Sequence, residues 1–359
     1  MDNQITNRQV VLLGAMCTFN ITLMHIPVQV TKYAKQHAYL SYLAAGLVVL
    51  LAVWLLVRTL KRFNNQSILQ ALVSRFPSVG RIIALLYLLF YFFIVARDLR
   101  MLTDFTNVVL LPSTPLFVVE FIMIATIVFV TRGGMKVLTG MTNIFGPVLI
   151  LTTLFMPFIL VKDFDYSLLM PVLHIDYAGV GKGSWFAFSY LGEIIAFPLI
   201  LSSQTFRFKD GLLGLLCGVG LLMLLIVLTF LLIGAPLTTR MTYPTYELVR
   251  QLEITDFLDR FDILLVAIWF PTVITKIAVS LYVVCYGLKI VIPQISGRML
   301  VAPIGLLSYV CSFWFFENSI HLFSFNRQLT VIGIFFELIL PLLLFLILRP
   351  KNKGVGHKI

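Results

Sequence analysis

The segment SYLGEIIAFP, residues 189–198, places a carboxylate in a stretch whose other residues suit the interior of a lipid bilayer. The carboxylate is Glu193, and Gly192 beside it weakens the helix. An ionisable group at this depth is costly and usually faces a partner or a water-filled cavity. Two roles stay open for Glu193. It is either a structural carboxylate, neutralised or paired with a cation such as Lys276, or a cavity residue that contacts a ligand amine, a coupling proton or a passing cation.

A second apolar segment, TFNITLMHIP, also carries polar side chains that lead up to a proline. Thr18, Asn20 and Thr22 precede its proline, much as Tyr190 and Glu193 precede the proline of the other segment. Paired interruptions of this kind are typical of spans whose half-helix ends and unwound backbone offer N–H and C=O groups to a small ligand at the membrane midplane. The two segments therefore predict a midplane binding site.

The sequence does not favour an enzyme. No nucleophile with a neighbouring base and no metal-ligating cluster can be assembled from nearby positions. The four cysteines lie in apolar segments without pairing or metal spacing, so we expect them to pack as small hydrophobic residues. We expect no catalytic residue, no metal and no cofactor.

Composition places these segments in a membrane. The chain of 359 residues is 60% hydrophobic and 12% charged, with a mean hydropathy of +0.99, whereas soluble domains average roughly 25% charged residues. Apolar runs extend from end to end, so residues 1–359 are predicted to form a single all-α integral membrane domain. About 20 mostly apolar residues cross the bilayer, and ten such stretches occur, approximately at 10–30, 39–57, 82–109, 116–131, 143–161, 184–202, 211–235, 262–292, 299–317 and 329–348.

The two interrupted segments are the first and the sixth of these spans. This spacing predicts an inverted five-helix repeat of the LeuT-like kind, with broken helices 1 and 6. The first repeat covers about 10–161 and the second about 184–348, and residues 349–359 form a short cytoplasmic tail. Two connections should also be helical: a short interfacial helix in NNQSILQALVSRF, residues 64–76, and a helical hairpin at 243–261.

Orientation follows from the distribution of lysine and arginine, which stay in the cytoplasm. Of the 27 such residues, 16 fall on the side that holds both termini, 8 on the opposite side and 3 inside spans. Both termini are therefore predicted to be cytoplasmic. This bias and contact with anionic membrane lipids explain the formal charge of +11, so a nucleic-acid partner is not predicted.

Four segments resemble the spore germination permeases, the B subunits of endospore germinant receptors in the amino acid, polyamine and organocation superfamily. They are DLRMLTDFTNVVLLPSTP at 98–115, LLMPVL at 168–173, YPTYELVRQLEITDFLDRFDILLVAIW at 243–269 and YVVCYGLK at 282–289. No single motif is specific, but their order and spacing together are, and the resemblance covers essentially the whole chain.

The resemblance implies a nutrient-sensing receptor subunit in the inner membrane of a bacterial spore. Its partners would be an A subunit with a large soluble domain and a C subunit that is a lipoprotein. A small nutrient, such as an amino acid or a sugar, would bind at the midplane and trigger ion release and germination. A cation-coupled amino acid or amine transporter shares the same fold and stays open as an alternative.

The family layout selects the spans that line the ligand site, and polarity within each span selects the residues. The predicted ligand-binding residues are Thr18, Asn20, Thr22, Thr106, Tyr190, Gly192, Glu193, Trp269 and Thr272. Asp98, Arg100 and Lys276 are candidates for an ion pair or a gate. Lys276, seven residues after Trp269, should lie on the same face of the eighth span, where it stands in for a bound cation or forms a structural ion pair.

Overall fold

The computed structural model describes residues 5–63, 66–171, 173–251 and 261–348, and almost all of them lie in helices. The first half of the chain forms α1 (Asn7–Phe19), α2 (Thr22–Ala34), α3 (Ala38–Leu60), α4 (Ile68–Arg75), α5 (Pro77–Val109), α6 (Leu116–Arg132) and α7 (Gly134–Leu160). The second half forms α8 (Tyr177–Leu191), α9 (Ala196–Ile200), α10 (Phe208–Leu232), α11 (Ala235–Thr238), α12 (Pro244–Arg250), α13 (Phe261–Val291), α14 (Gly297–Phe315), α15 (Ser319–Ser324), α16 (Asn326–Ile334) and α17 (Leu340–Ile347). Short 3₁₀ turns cover Lys35–His37, Val161–Asp163, Tyr166–Leu169 and Gly192–Ile195, and a π-helical turn covers Phe335–Ile339.

Capping residues and a proline mark where several of these helices begin. Thr6 caps α1 in a reciprocal pair of hydrogen bonds with Gln9, and Asp176 accepts from the N–H of Gly179 at the start of α8, at 2.9 Å. Pro77 opens α5 at a position where its missing N–H costs nothing. Between the caps, helices satisfy every backbone group internally, which hydrocarbon requires.

Eight helical stretches in the described part of the chain are long and apolar enough to cross a membrane, by length and composition. The sequence predicts ten spans, and two differences account for the gap. α2 runs into α3, so that Thr22–Leu60 is one stretch of 39 residues, and α6 has only 17 residues. Phe129, Phe158 and Trp314 are 79%, 76% and 82% exposed, an apolar surface that a soluble protein would bury.

Helix packing follows the same pattern in both halves of the chain. α1 packs on α10 and α7, and its counterpart five spans later, α8, packs on α3 and α16. α5 packs on α14, and its counterpart α13 packs on α6. Each contact maps onto another when the halves are exchanged, as an inverted five-helix repeat requires.

The first and sixth spans are interrupted where the sequence predicts, but more mildly. α1 ends at Phe19 and α2 begins at Thr22, while the N–H of Asn20 still donates to the Met16 carbonyl at 3.1 Å. The sixth span passes from α8 through the 3₁₀ turn Gly192–Ile195 into α9. The residues that flank these breaks keep right-handed helical dihedral angles. The predicted breaks in the first and sixth spans are therefore present, as irregular turns that unwind the backbone less than an extended segment would.

Of the two predicted connecting helices, the first is more buried than an interfacial helix would be, and the second is described only in part. α4 has the predicted apolar face, but it packs into the bundle against α5, α9 and α13. Ile68, Leu69 and Leu72 are consequently buried. α12 supplies the first arm of the predicted hairpin and packs on α2, α10 and α13. Residues 252–260 of the second arm, like the tail at 349–359, lie outside the described residues.

α1 and α10 approach each other backbone to backbone, because glycines face the contact. A Cβ at Gly214 would lie 3.0 Å from the Val11 carbonyl oxygen, and one at Gly218 would lie 2.7 Å from the Cβ of Thr18. Small residues at this spacing permit close helix packing in membranes. The contact holds the first span of one repeat against the second span of the other.

A valine at position 218 should therefore destabilise the fold. We expect Gly218→Val to lower the free energy of unfolding by about 1–3 kcal/mol, because overpacking pushes α10 away from α1. Thermal unfolding of the purified protein in detergent measures this. Gly220→Val is the matched control, since a Cβ there meets no atom within 4 Å. Equal losses in the two variants would contradict the close contact.

Candidate functional site

Four charged side chains meet in the interior of the bundle and are called the charge tetrad below: Arg97, Asp98, Glu193 and Lys276. Arg97 donates to Asp98 and to Glu193, at 2.5 Å each. Lys276 Nζ contacts the other oxygen of each of these two carboxylates. The four side chains are at most 3% exposed. Each cation therefore bridges both anions.

Three spans supply the charge tetrad. α5 contributes the adjacent pair Arg97 and Asp98, the 3₁₀ turn of the sixth span contributes Glu193, and α13 contributes Lys276. Adjacent residues of a helix point about 100° apart, and the long side chain of Arg97 bridges this angle while it lies over the ring of Tyr190, at 4.3 Å. Two positive and two negative groups balance, which lowers the cost of burying them.

The register of α13 against α5 is set by two contacts. Lys276 meets Asp98, and the ring of Trp269 lies 5.3 Å from that of Phe105. From Lys276 to Trp269 the chain runs seven residues backward, and from Asp98 to Phe105 it runs seven residues forward. The helices α5 and α13 are therefore antiparallel along this contact. Lys276 and Trp269 thus share one face of the eighth span, as predicted.

Glu193 makes the ion pair with Lys276 that the sequence left open as its structural role. Arg97 is a second partner that was not predicted. A contact between Glu193 and a ligand stays a prediction.

The residues predicted to bind the ligand are all buried: Thr18, Asn20, Thr22, Thr106, Tyr190, Gly192, Glu193, Trp269 and Thr272. Two of them meet directly: the Thr272 hydroxyl lies 2.9 Å from Asn20 Oδ1 and 2.5 Å from the Trp269 carbonyl oxygen, so these two acceptors share its single proton. The hydroxyls of Thr18, Thr22 and Thr106 each donate to the carbonyl four residues earlier in the chain. These three hydroxyls are therefore satisfied locally, while the bond from Thr272 to Asn20 joins the first and eighth spans.

A cavity of about 70 Å³ lies beside this bond. Its walls come from α1, α2, α5, α7, α10, α12 and α13, and include Phe19, Phe105, Tyr243 and Trp269. Among the described residues, those that line it carry no charge. Trp269 belongs to both the lining and the predicted ligand set. The cavity is thus displaced from the charge tetrad toward α12.

Arg100 belongs to a second cluster. Its Nε lies 3.1 Å from Asp104, and its Nη1 lies 3.9 Å from Glu120. The Ser312 hydroxyl donates to Glu120, and the Ser319 hydroxyl donates to Asp104 at 2.9 Å. Asp98 and Arg100 therefore both make ion pairs, but with different partners. Their predicted gating role stays a prediction.

Sequence reasoning missed several buried polar residues. In the sequence, Arg97 is one of three basic residues inside the predicted spans, and nothing there singles out Asn326, which accepts from the Tyr190 hydroxyl at 2.6 Å. The buried carboxylates Glu337, Asp104 and Glu120 were likewise not predicted. The usable signal is that every ionisable residue at membrane depth needs a partner, so a count of ionisable residues over all spans finds Arg97 and the three carboxylates, whereas the uncharged Asn326 gives no such signal.

The comparisons with known proteins agree with this architecture. A family model described as spore germination protein matches residues 4–320. The chain belongs to this family, the spore germination permeases. YfkT of Bacillus subtilis (strain 168) is 36% identical over 345 residues, which cover 96% of each chain. Spore germination protein KB of the same strain is 25% identical over 292 residues, covering 76% of this chain and 77% of that protein.

Among solved structures, the permease is similar to Mhp1, a nucleobase-cation-symport-1 family transporter, in a closed conformation with bromovinylhydantoin bound. The TM-score is 0.63 at 16% identity, over 94% of this chain and 76% of that chain. The likeness shows the fold, and the predicted LeuT-like architecture is confirmed. Family and fold are those of permeases or transporters, and the chain is a multi-pass membrane protein.

Removal of one charge from the tetrad should be costly. We expect Lys276→Met to lower the free energy of unfolding by about 3–5 kcal/mol, because two buried carboxylates then share one cation. Unfolding of the purified permease in detergent measures the loss. The control is Arg250→Met, which breaks an ion pair with Glu247 whose side chains are 67% and 38% exposed, and which should cost about 1 kcal/mol or less. Similar losses in both variants would show that the tetrad does not support the fold.

Proposed function

We propose that this permease is the nutrient-sensing subunit of a spore germinant receptor, in which a small nutrient binds within the membrane and triggers ion release and germination. Membership of the spore germination permease family supports this setting. The observation that carries the proposal is a pair of buried N–H donors, one on Trp269, which lines the apolar cavity, and one on Asn20, which follows the lining residue Phe19 in the chain.

These donors are Asn20 Nδ2 and Trp269 Nε1, and in the described part of the chain neither has a hydrogen-bond partner. A buried donor without a partner costs roughly 1–3 kcal/mol, so both favour a ligand that brings acceptor oxygens. Trp269 also lines the cavity, whose walls are aromatic and aliphatic. A small molecule with an oxygen-bearing end and an apolar portion, such as an amino acid, meets both demands.

The proposed site extends from this cavity along the predicted residues of the first, third, sixth and eighth spans. Thr272 lies four residues before Lys276, which places the two on one face of α13. Asn20 is therefore joined through Thr272 to the helix that carries one cation of the charge tetrad. A nutrient that binds one arrangement of these spans more tightly shifts the population toward it. The partners in this proposal are the A subunit and the lipoprotein C subunit, in the inner membrane of the spore.

Loss of the indole should weaken the nutrient response. Trp269→Leu removes a donor and part of the cavity wall, so we expect at least a tenfold rise in the half-maximal nutrient concentration, or about 1.4 kcal/mol. The measurement is the germination dose response of spores, with single amino acids and sugars tested in turn. Trp314→Leu is the control, because Trp314 lies exposed on α14.

Immunoblots must show equal amounts of both variants in spore membranes. An unchanged dose response for Trp269→Leu at normal protein level would remove this cavity as the nutrient site. Accumulation of an amino acid or amine in proteoliposomes, driven by a cation gradient, would instead favour the cation-coupled transporter.

The proposed orientation has its own test. Both termini are cytoplasmic in this proposal, so Ala178→Cys, at an exposed position in α8, should react with a membrane-impermeant thiol reagent added from outside. Gly354→Cys should react only after the membrane is opened. The background is the chain with its four native cysteines replaced. The reverse pattern of labelling would overturn the orientation.

A further inference from the structure

Glu337 is a buried carboxyl group that the site described above does not use. It lies in the π-helical turn Phe335–Ile339 of the last span and is 1% exposed. Within the described residues neither of its oxygens has a hydrogen-bond partner. A charged carboxylate left in this state is very costly, so the position demands an explanation. π-helical turns frequently mark functional sites.

The carboxyl group packs directly against the break of the sixth span. A Cβ at Gly192 would overlap Glu337 Oε2, and one at Gly333 would lie 3.5 Å from the same oxygen. Position 192 accommodates the carboxyl group because glycine has no side chain. Glu193 follows directly, so two carboxyl groups from different spans meet at the same 3₁₀ turn.

The charges around this turn do not balance. The charge tetrad is neutral, with Arg97 and Lys276 each shared between Asp98 and Glu193. Glu337 is a third carboxyl group in electrostatic reach of Glu193, Arg97 and Lys276. Three carboxyl groups and two cations leave the cluster one positive charge short.

The other groups that face Glu337 do not supply this charge. Tyr87 and Tyr91 of α5 interact with it electrostatically, and their hydroxyls have no partner in the described part of the chain. The remaining titratable and charged side chains of α3 and α16, which pack on the π-helical turn, are Tyr39, Tyr42, Arg58 and Arg327, and Arg62 follows the end of α3. Arg58 lies over Trp54, Arg62 donates to the Phe345 and Leu348 carbonyls, and Arg327 is exposed.

We propose that Glu337 is a binding site for a single proton, held against the break of the sixth span. The carboxylate takes the proton from hydronium, an O–H bond forms and water leaves. The contact with Gly192 favours a proton over a metal cation on this side of the carboxyl group, since one carbon added at position 192 would already overlap Oε2. A cation with its shell of oxygen ligands needs more room. Loss of the proton places an unbalanced negative charge beside Glu193. A change in the position of the 3₁₀ turn Gly192–Ile195 and release of the proton are therefore linked.

Infrared difference spectroscopy of the purified full-length permease tests this inference, because protonated and ionised carboxyl groups absorb at separate frequencies. At neutral pH the wild type should show a protonated-carboxyl band that Glu337→Gln lacks. The glutamine amide has nearly the shape of the neutral acid, so we expect this variant to fold. In the wild type, but not in Glu337→Gln, the ratio of protonated to ionised Glu337 should fall about tenfold for each unit by which the pH is raised.

Glu247→Gln is the matched control, because Glu247 is a partly exposed carboxylate that pairs with Arg250 on α12, so its removal should leave the protonated band unchanged. Two results would overturn the inference. One is a protonated band that persists unchanged in Glu337→Gln. The other is loss of the wild-type band on addition of sodium or potassium chloride at constant pH, which would show a metal-cation site. Neither result bears on nutrient sensing, so this test is independent of the proposed function.

Discussion

The charge tetrad is the interaction on which the arrangement of this permease depends. Two cations and two anions are buried, and because each cation bridges both anions, the four charges stabilise one another. Because α5, the 3₁₀ turn of the sixth span and α13 carry these charges, the tetrad sets the distance and register of three spans from two repeats. The antiparallel contact of Trp269 with Phe105 continues that register toward α12.

One of the two short helix breaks carries a member of the tetrad. Glu193 lies in the 3₁₀ turn Gly192–Ile195 of the sixth span, and from this turn it pairs with Arg97 and Lys276. The first span is likewise interrupted by only two residues, and Asn20 turns its side-chain oxygen to Thr272. In this arrangement the backbone is nearly closed at both breaks. Among the described residues, the N–H donors without a partner in this region are side-chain groups, Asn20 Nδ2 and Trp269 Nε1.

Fold and family constrain function to different degrees. The likeness to Mhp1 shows a shared architecture, but one architecture serves many substrates. The proposed ligand is argued from local chemistry: an uncharged cavity with aromatic and aliphatic walls, two donors without acceptors in the described part of the chain, and a neutral tetrad a few residues away along α13. Glu337 adds a third carboxyl group to this region, which links the last span to the break of the sixth.

The sequence by itself determined the membrane class, the positions of most spans and the two interruptions, because these depend on local hydropathy and on residues that weaken a helix. It also identified Glu193 and Lys276 as costly groups that need partners. Only the tertiary structure decided which partners they have. Arg97 and Asp98 are neighbours in the chain, but Glu193 and Lys276 come from spans far away in sequence, and no local pattern encodes which helix faces meet. The roles of Asn326 and Glu337 could not be predicted for the same reason. Asn326 packs against Tyr190 and Glu337 packs against Gly192, and both contacts exist only because the sixth span pairs with the tenth.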